Sequence, residues 1–208
     1  ATPVVMARSN RIAGGTFNHL LPRTGEALDS LLNVGSEPQQ ADHPGLNDHL
    51  LIIGFGLNGQ NVALAAQSMK VRCAVVEEDP DLAQLAVERG ILTVQGDASQ
   101  GSMLEKAHAG TARMVVIALP DGLQSKRVVA NVRAHTKARL VVRSRFASDE
   151  ADLYATGADE VISEDLEASL LLVDRALRAY QAPENGIQEV RAHLRTLQQS
   201  ALEDPKVG

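Results

Sequence analysis

Gly54, Gly56 and Gly59 stand in G-x-G-x-x-G spacing between the apolar run Leu50 to Ile53 and an amphipathic stretch beginning near Leu57. A turn of this kind handles phosphate. The first glycine permits a tight bend, the second lets a pyrophosphate approach the backbone, and the third lets the following helix pack closely on the strand. The anion would rest on free backbone N–H groups at the positive end of that helix. A second apolar run, Val71 to Val76, ends in Glu77, twenty-three positions beyond Gly54. A dinucleotide-binding fold places there a carboxylate that accepts hydrogen bonds from the adenosine ribose hydroxyls. The competing reading of Glu77 is a solvated strand end. Glu78 and Asp79 follow in place of any Arg or Lys, so a 2′-phosphate would meet three carboxylates. NADP(H) is therefore disfavoured against NAD(H), AMP, ADP or ATP.

Other reactive side chains form no recognisable set. His43, His108 and His135 lack Cys or His partners at metal-ligand spacing. Ser99, Ser102 and Ser125 sit in no G-x-S-x-G context. The acidic run Glu77 to Asp81 lacks the alternating oxygen ligands of a calcium loop, and GLQSKR lacks Walker spacing. No catalytic residue and no metal ligand is expected.

The elements needed to position the turn are legible in the alternation that follows it. Pro80 to Arg89 reads as a helix capped at Gly90, and Ile91 to Gln95 as a third strand. Gly101 to Ala107 is a short helix, Arg113 to Leu119 a fourth strand, Asp121 to His135 a long helix and Arg139 to Arg143 a fifth strand. Ser148 to Thr156 is helical, Glu160 to Ile162 a short sixth strand, and Asp165 to Tyr180 a last amphipathic helix, whose start Glu164, Asp165 and Glu167 complement. Such alternation implies an α/β Rossmann-like fold: a doubly wound, six-stranded parallel sheet in the order 3-2-1-4-5-6, with helical extensions. The ligand crevice is expected at the carboxyl ends of strands one and four. Residues 1–47 are loop-like apart from a helical candidate, Gly25 to Leu32, and the tail 183–208 offers an amphipathic helix from about Ile187 to Leu202.

Composition narrows the class further. At 44% hydrophobic and 2% aromatic, the 208 residues must build a core from Val, Leu, Ile and Ala. The formal charge of −6 and the scarcity of aromatic rings argue against a nucleic-acid partner. A single cysteine, Cys73, excludes an intrachain disulfide and reads as a buried, inert thiol. No apolar run is long enough to span a bilayer, so the chain is expected to be soluble.

Taken together, GFGLNGQNVA, VVEEDPD, VQGDAS, VVRSRF and GADEVISEDLEASLLL resemble the nucleotide-binding lobe of RCK, or TrkA-N, domains. The likeness covers roughly residues 48–180 and is strongest to the cytosolic domains that end Kef-type cation:proton antiporters. It implies a domain on the cytoplasmic side of the inner membrane, joined in one polypeptide to a membrane antiporter, paired as a homodimer through the Rossmann lobe and gating potassium or proton exchange with an adenine nucleotide. Residues 1–47 would then be the linker from the membrane part, residues 48–182 the lobe, and residues 183–208 a tail. By this resemblance Phe55, Leu57 and Asn58 supply the backbone around the phosphate, Glu77 holds the ribose with Glu78 next to it in the cofactor site, and Gly96-Asp97-Ala98 lies beside the adenine. Asp97 reads equally as a turn or helix-cap aspartate. Arg143 and Arg145 match basic residues that help form a second, anionic-ligand pocket in glutathione-gated relatives; the simpler reading is a salt bridge to Glu164, Asp165 or Glu167. An NAD-dependent oxidoreductase and a free-standing TrkA-like subunit are the alternatives. The first lacks a substrate domain and a catalytic set, and the second a C-terminal ligand lobe.

Overall fold

The computed structural model of the chain describes the backbone of residues 46–203 and the side chains of residues 46–198. The loop-like stretch over residues 1–45, with Gly25 to Leu32 and His43, lies outside the described residues. Six parallel strands form one sheet in the order β3-β2-β1-β4-β5-β6. They are β1 (His49–Ile53), β2 (Cys73–Glu77), β3 (Leu92–Gln95), β4 (Ala112–Ile117), β5 (Arg139–Ser144) and β6 (Glu160–Ser163). Between and after them run α1 (Leu57–Ser68), α2 (Pro80–Glu88), α3 (Gly101–Lys106), α4 (Gly122–His135), α5 (Glu150–Thr156), α6 (Glu164–Ala179) and α7 (Glu184–Glu203). The expected class and strand order are both observed.

Successive side chains of a strand point to opposite faces, and the core divides accordingly. Leu51, Ile53, Val76, Val115, Ile117 and Val142 face Leu104 of α3, Val128 and Val132 of α4 and Leu153 of α5. Ile52 and Val75 point the other way, to Ala63 of α1 and Ala86 of α2, with Phe55 and Ile91. Small residues at Gly59, Ala63 and Ala66 form the buried face of α1, which lets that helix sit close to the sheet.

Several boundaries move by a few residues for local reasons. β2 begins at Cys73, because the Val71 amide is still bonded to the Ala66 carbonyl in the turn that ends α1. A 3-10 turn, Ala147–Asp149, precedes α5 where the sequence suggested one continuous helix. α7 starts at Glu184, three residues earlier than its apolar stripe, where Arg178 of α6 pairs with Glu184. Ile187 is fully buried, while Val190 and Leu197 remain exposed. The thiol of Cys73 is half-buried, and burial raises its pKa.

His49 begins β1 at the end of the sheet away from the glycine turn. Its side chain is buried, donates from Nε2 to the Ala107 carbonyl at 3.3 Å, and leaves Nδ1 without a partner. Burial lowers its pKa below the ordinary histidine value, an effect that the Ala107 carbonyl opposes and nearby His108 and Arg72 reinforce. Below about pH 6.5 the unfolded chain therefore binds more protons at this position, and stability falls as pH drops through the folded pKa. His49→Leu is expected to flatten that slope. Urea denaturation at about pH 7.5 and about pH 5.5 measures it, and an unchanged slope in the variant would assign the pH dependence to other groups.

Candidate functional site

The glycine turn is held in place by ladder bonds that outrun the strands. Gly54 N donates to the Val76 carbonyl at 2.9 Å, Gly96 N to Glu77 at 2.8 Å and Ala118 N to Ile53 at 2.8 Å. The loops after β1, β2, β3 and β4 are thereby gathered at one edge of the sheet. Gly54 adopts φ +92°, a conformation that L side chains rarely take. A Cβ on Gly59 would lie 2.0 Å from the Gly54 carbonyl oxygen, so that glycine is demanded by contact between α1 and the turn. No acidic residue occupies the first turn of α1, and no side chain caps it. Its leading N–H groups have no intrahelical acceptor and face the loop region.

These loops enclose an open cleft of about 640 Å³. Gly54, Gly56, Leu57 and Asn58 line its phosphate-turn side, Glu77, Glu78 and Asp79 the wall after β2, and Gly96 and Ala98 the edge after β3. Ile53, Val76, Ala118 and Val128 give it an apolar floor. Phe55 is buried beneath the turn rather than in the cleft, and contributes its backbone amide. That amide and the Asp79 N–H both donate to the Glu77 carboxylate, the second at 2.9 Å. Glu77 is only 8% exposed. A carboxylate has about four acceptor sites, so ribose hydroxyls can still donate to it. Asp79 caps α2 by accepting from Asp81 and Leu82 amides, at 2.9 and 3.1 Å, with Pro80 at the first helical position.

Asp97 stands apart. Its carboxylate accepts from the Ser99 amide at 2.8 Å and the Ser99 hydroxyl at 2.6 Å, which holds its pKa low, and it does not line the cleft. This is the geometry of a turn aspartate.

The two arginines also part company. Arg143 lines the cleft but is held by Glu164, Nε to Oε1 and Nη2 to Oε2 both at 2.6 Å, while Nη1 donates to the Leu119 carbonyl at 2.9 Å. The guanidinium keeps the Glu164 carboxyl below its ordinary range. Arg145 stacks over Phe146 at 5.3 Å outside the cleft. Of the carboxylates considered in the sequence, Glu164 is the partner; Asp165 instead accepts from the Ala147 amide, and Glu167 from Arg195.

Three side chains in the cleft carried no sequence signal of their own. Leu119 and Pro120 come from the β4–α4 connection and Gln124 from the first turn of α4, where it donates to Glu78 at 3.3 Å across the opening. Only their place after the fourth strand, at the reversal of strand order, marked them. Among the described residues, no group of His, Cys, Asp and Glu is arranged to hold a metal ion, and no helix is long and apolar enough to cross a membrane.

Comparison with known proteins places this geometry. The TrkA-N domain family matches residues 50–164. A putative potassium efflux antiporter, KefB of Alkalimonas amylolytica, is 28% identical over 159 residues, which are 76% of this chain and 24% of that protein. A putative cation/proton antiporter, YbaL of Escherichia coli K12, is 21% identical over 166 residues, 79% of this chain and 30% of that protein. The chain thus spans less than a third of the length of these relatives. Among solved structures, the AMP-bound Kef C-terminal domain of Shewanella denitrificans shares the fold at a TM-score of 0.62 and 19% identity, covering 74% of this chain and 94% of that one. The GsuK channel bound to NAD does so at 0.55 and 18%, covering 73% and 26%.

Proposed function

The chain belongs to the TrkA-N domain family, and from that premise we propose that it is the regulatory nucleotide-binding domain of a potassium or cation:proton antiporter. An adenine nucleotide, AMP, ATP or NAD(H), would occupy the cleft, with phosphate on the first turn of α1 and ribose on Glu77. The observation that carries this reading is one arrangement: an uncapped α1 terminus facing a cleft that the Glu77 carboxylate also lines. The antiporter assignment is supported by KefB and YbaL, of which this chain matches a minor part, and the nucleotide by AMP in the Kef C-terminal domain. Residues 1–47 would serve as the linker from a membrane domain of the same polypeptide, residues 48–182 as the lobe and residues 183–208 as its tail, on the cytoplasmic side of the inner membrane. A homodimer through the lobe would carry the signal, with no catalytic step. A ligand moves such a gate only by binding one arrangement of the dimer better than the other.

Calorimetric titration of the purified chain with AMP, NADH and NADPH tests the reading. AMP or NADH is expected to bind, with NADPH weaker by about tenfold, or about 1.4 kcal/mol, because Glu77, Glu78 and Asp79 meet its 2′-phosphate. Binding of NADPH as tight as NADH would remove the charge argument.

A further inference from the structure

On the far side of the cleft from Glu77, three elements are tied by one carboxylate. Glu164, first residue of α6, accepts with both carboxylate oxygens from the Nε–Nη2 edge of the Arg143 guanidinium at the end of β5. It also accepts from Asn58 Nδ2, in the first turn of α1, at 3.0 Å. Asn58, Arg143 and Glu164 all line the cleft. The bridge therefore lines the cleft beside the glycine turn, and an anion of the protein itself occupies the one cationic side chain lining the cleft among the described residues. The start of α6 is fixed independently: Asp165 accepts from the Ala147 amide at 2.9 Å, and its own amide reaches the Arg145 carbonyl at 3.4 Å. Glu164 is thus presented by a rigid corner rather than by a loose loop.

Resting on the nucleotide reading above, we propose that the Asn58–Glu164–Arg143 bridge sets how many phosphates the site accepts. A nucleoside monophosphate places its single phosphate on the α1 terminus in front of the closed bridge. A second phosphate extends toward Arg143, meets the Glu164 carboxylate first, and must displace it from the guanidinium. A bidentate arginine–carboxylate pair is a strong charge-assisted contact, and like charges crowd whichever anion is left unpaired. Glu164 therefore selects AMP over ADP, and Arg143 is the group a second phosphate would recruit once Glu164 is neutral.

Titration of AMP and ADP into the full chain tests this through the ratio of the two affinities, which uniform damage to the fold does not change. Wild type is expected to favour AMP. Glu164→Gln, which keeps the shape and removes the charge, is expected to shift the ratio toward ADP by about tenfold. Adding Arg143→Leu to that variant is expected to abolish the shift. An unchanged ratio in Glu164→Gln, or a shift that survives the loss of Arg143, overturns the proposal while leaving AMP binding intact. Failure of wild type to bind either nucleotide overturns the nucleotide reading, and this inference with it.

Discussion

Gly56→Val is expected to weaken nucleotide binding by at least about a hundredfold, or about 2.7 kcal/mol, while the domain stays folded. A Cβ at Gly56 meets nothing within 4 Å, and the residue's φ of −63° and ψ of −168° are open to valine. Folding therefore gives no reason for glycine here. The empty space lies at the capping position of α1, where a phosphate must come within hydrogen-bond distance of backbone N–H groups. Two added methyl groups fill it. Gly59→Ala is the contrasting control, because its Cβ falls 2.0 Å from a carbonyl oxygen in the same turn. Overpacking of this severity costs about 3 kcal/mol or more, a fall in Tm of about 6–12 °C for a domain of this size. Thermal melts beside calorimetry separate the two. Retained affinity in Gly56→Val would show that the anion binds elsewhere.

Loss of Glu77 is the second large effect, and it acts on folding and binding together. Its carboxylate accepts from the Phe55 amide in the glycine turn and from the Asp79 amide at the head of α2, joining the two loops that frame the proposed ribose position. Glu77→Ala leaves both donors without that acceptor. Hydrogen bonds to a charged group are worth about 1.5–3 kcal/mol each, and water entering the open cleft recovers part of this, so a loss of about 2–3 kcal/mol in urea denaturation is expected. Glu77→Gln retains one oxygen and should lose about 1 kcal/mol. Both variants are expected to weaken AMP by more than about tenfold, since the ribose acceptor is removed or half-replaced. Wild-type stability in Glu77→Ala would deny the carboxylate its place between the loops. Unchanged AMP affinity in Glu77→Gln would move the ribose away from it.

The parts of the fold that could be read in advance are those where chemistry is local. Buried parallel strands are continuous apolar runs, as in Leu50 to Ile53, and Pro80 and Asp121 announce helix starts that the structure reproduces. Asp97 is ambiguous in the sequence because an aspartate after a glycine serves a turn as readily as a ligand; in the structure its carboxylate accepts from the amide and hydroxyl of Ser99, two residues on. Arg143 and Arg145 stand together in the sequence only through the resemblance to the basic residues of glutathione-gated relatives. β5 ends at Ser144, so Arg145 leaves the pleat and turns to Phe146.

The sequence alone establishes the glycine turn and its acidic counterpart: glycines at fixed spacing, a strand on each side, and Glu77 at the end of the second. Their placement follows from backbone sterics within fewer than thirty residues. What faces them is set by the fold. Glu164 meets Arg143 across 21 positions and Asn58 across 106, a meeting that depends on where β6 returns the chain beside β5. Long-range charge pairing cannot be read from spacing, because several carboxylates lay equally near in sequence and the sheet register chose one.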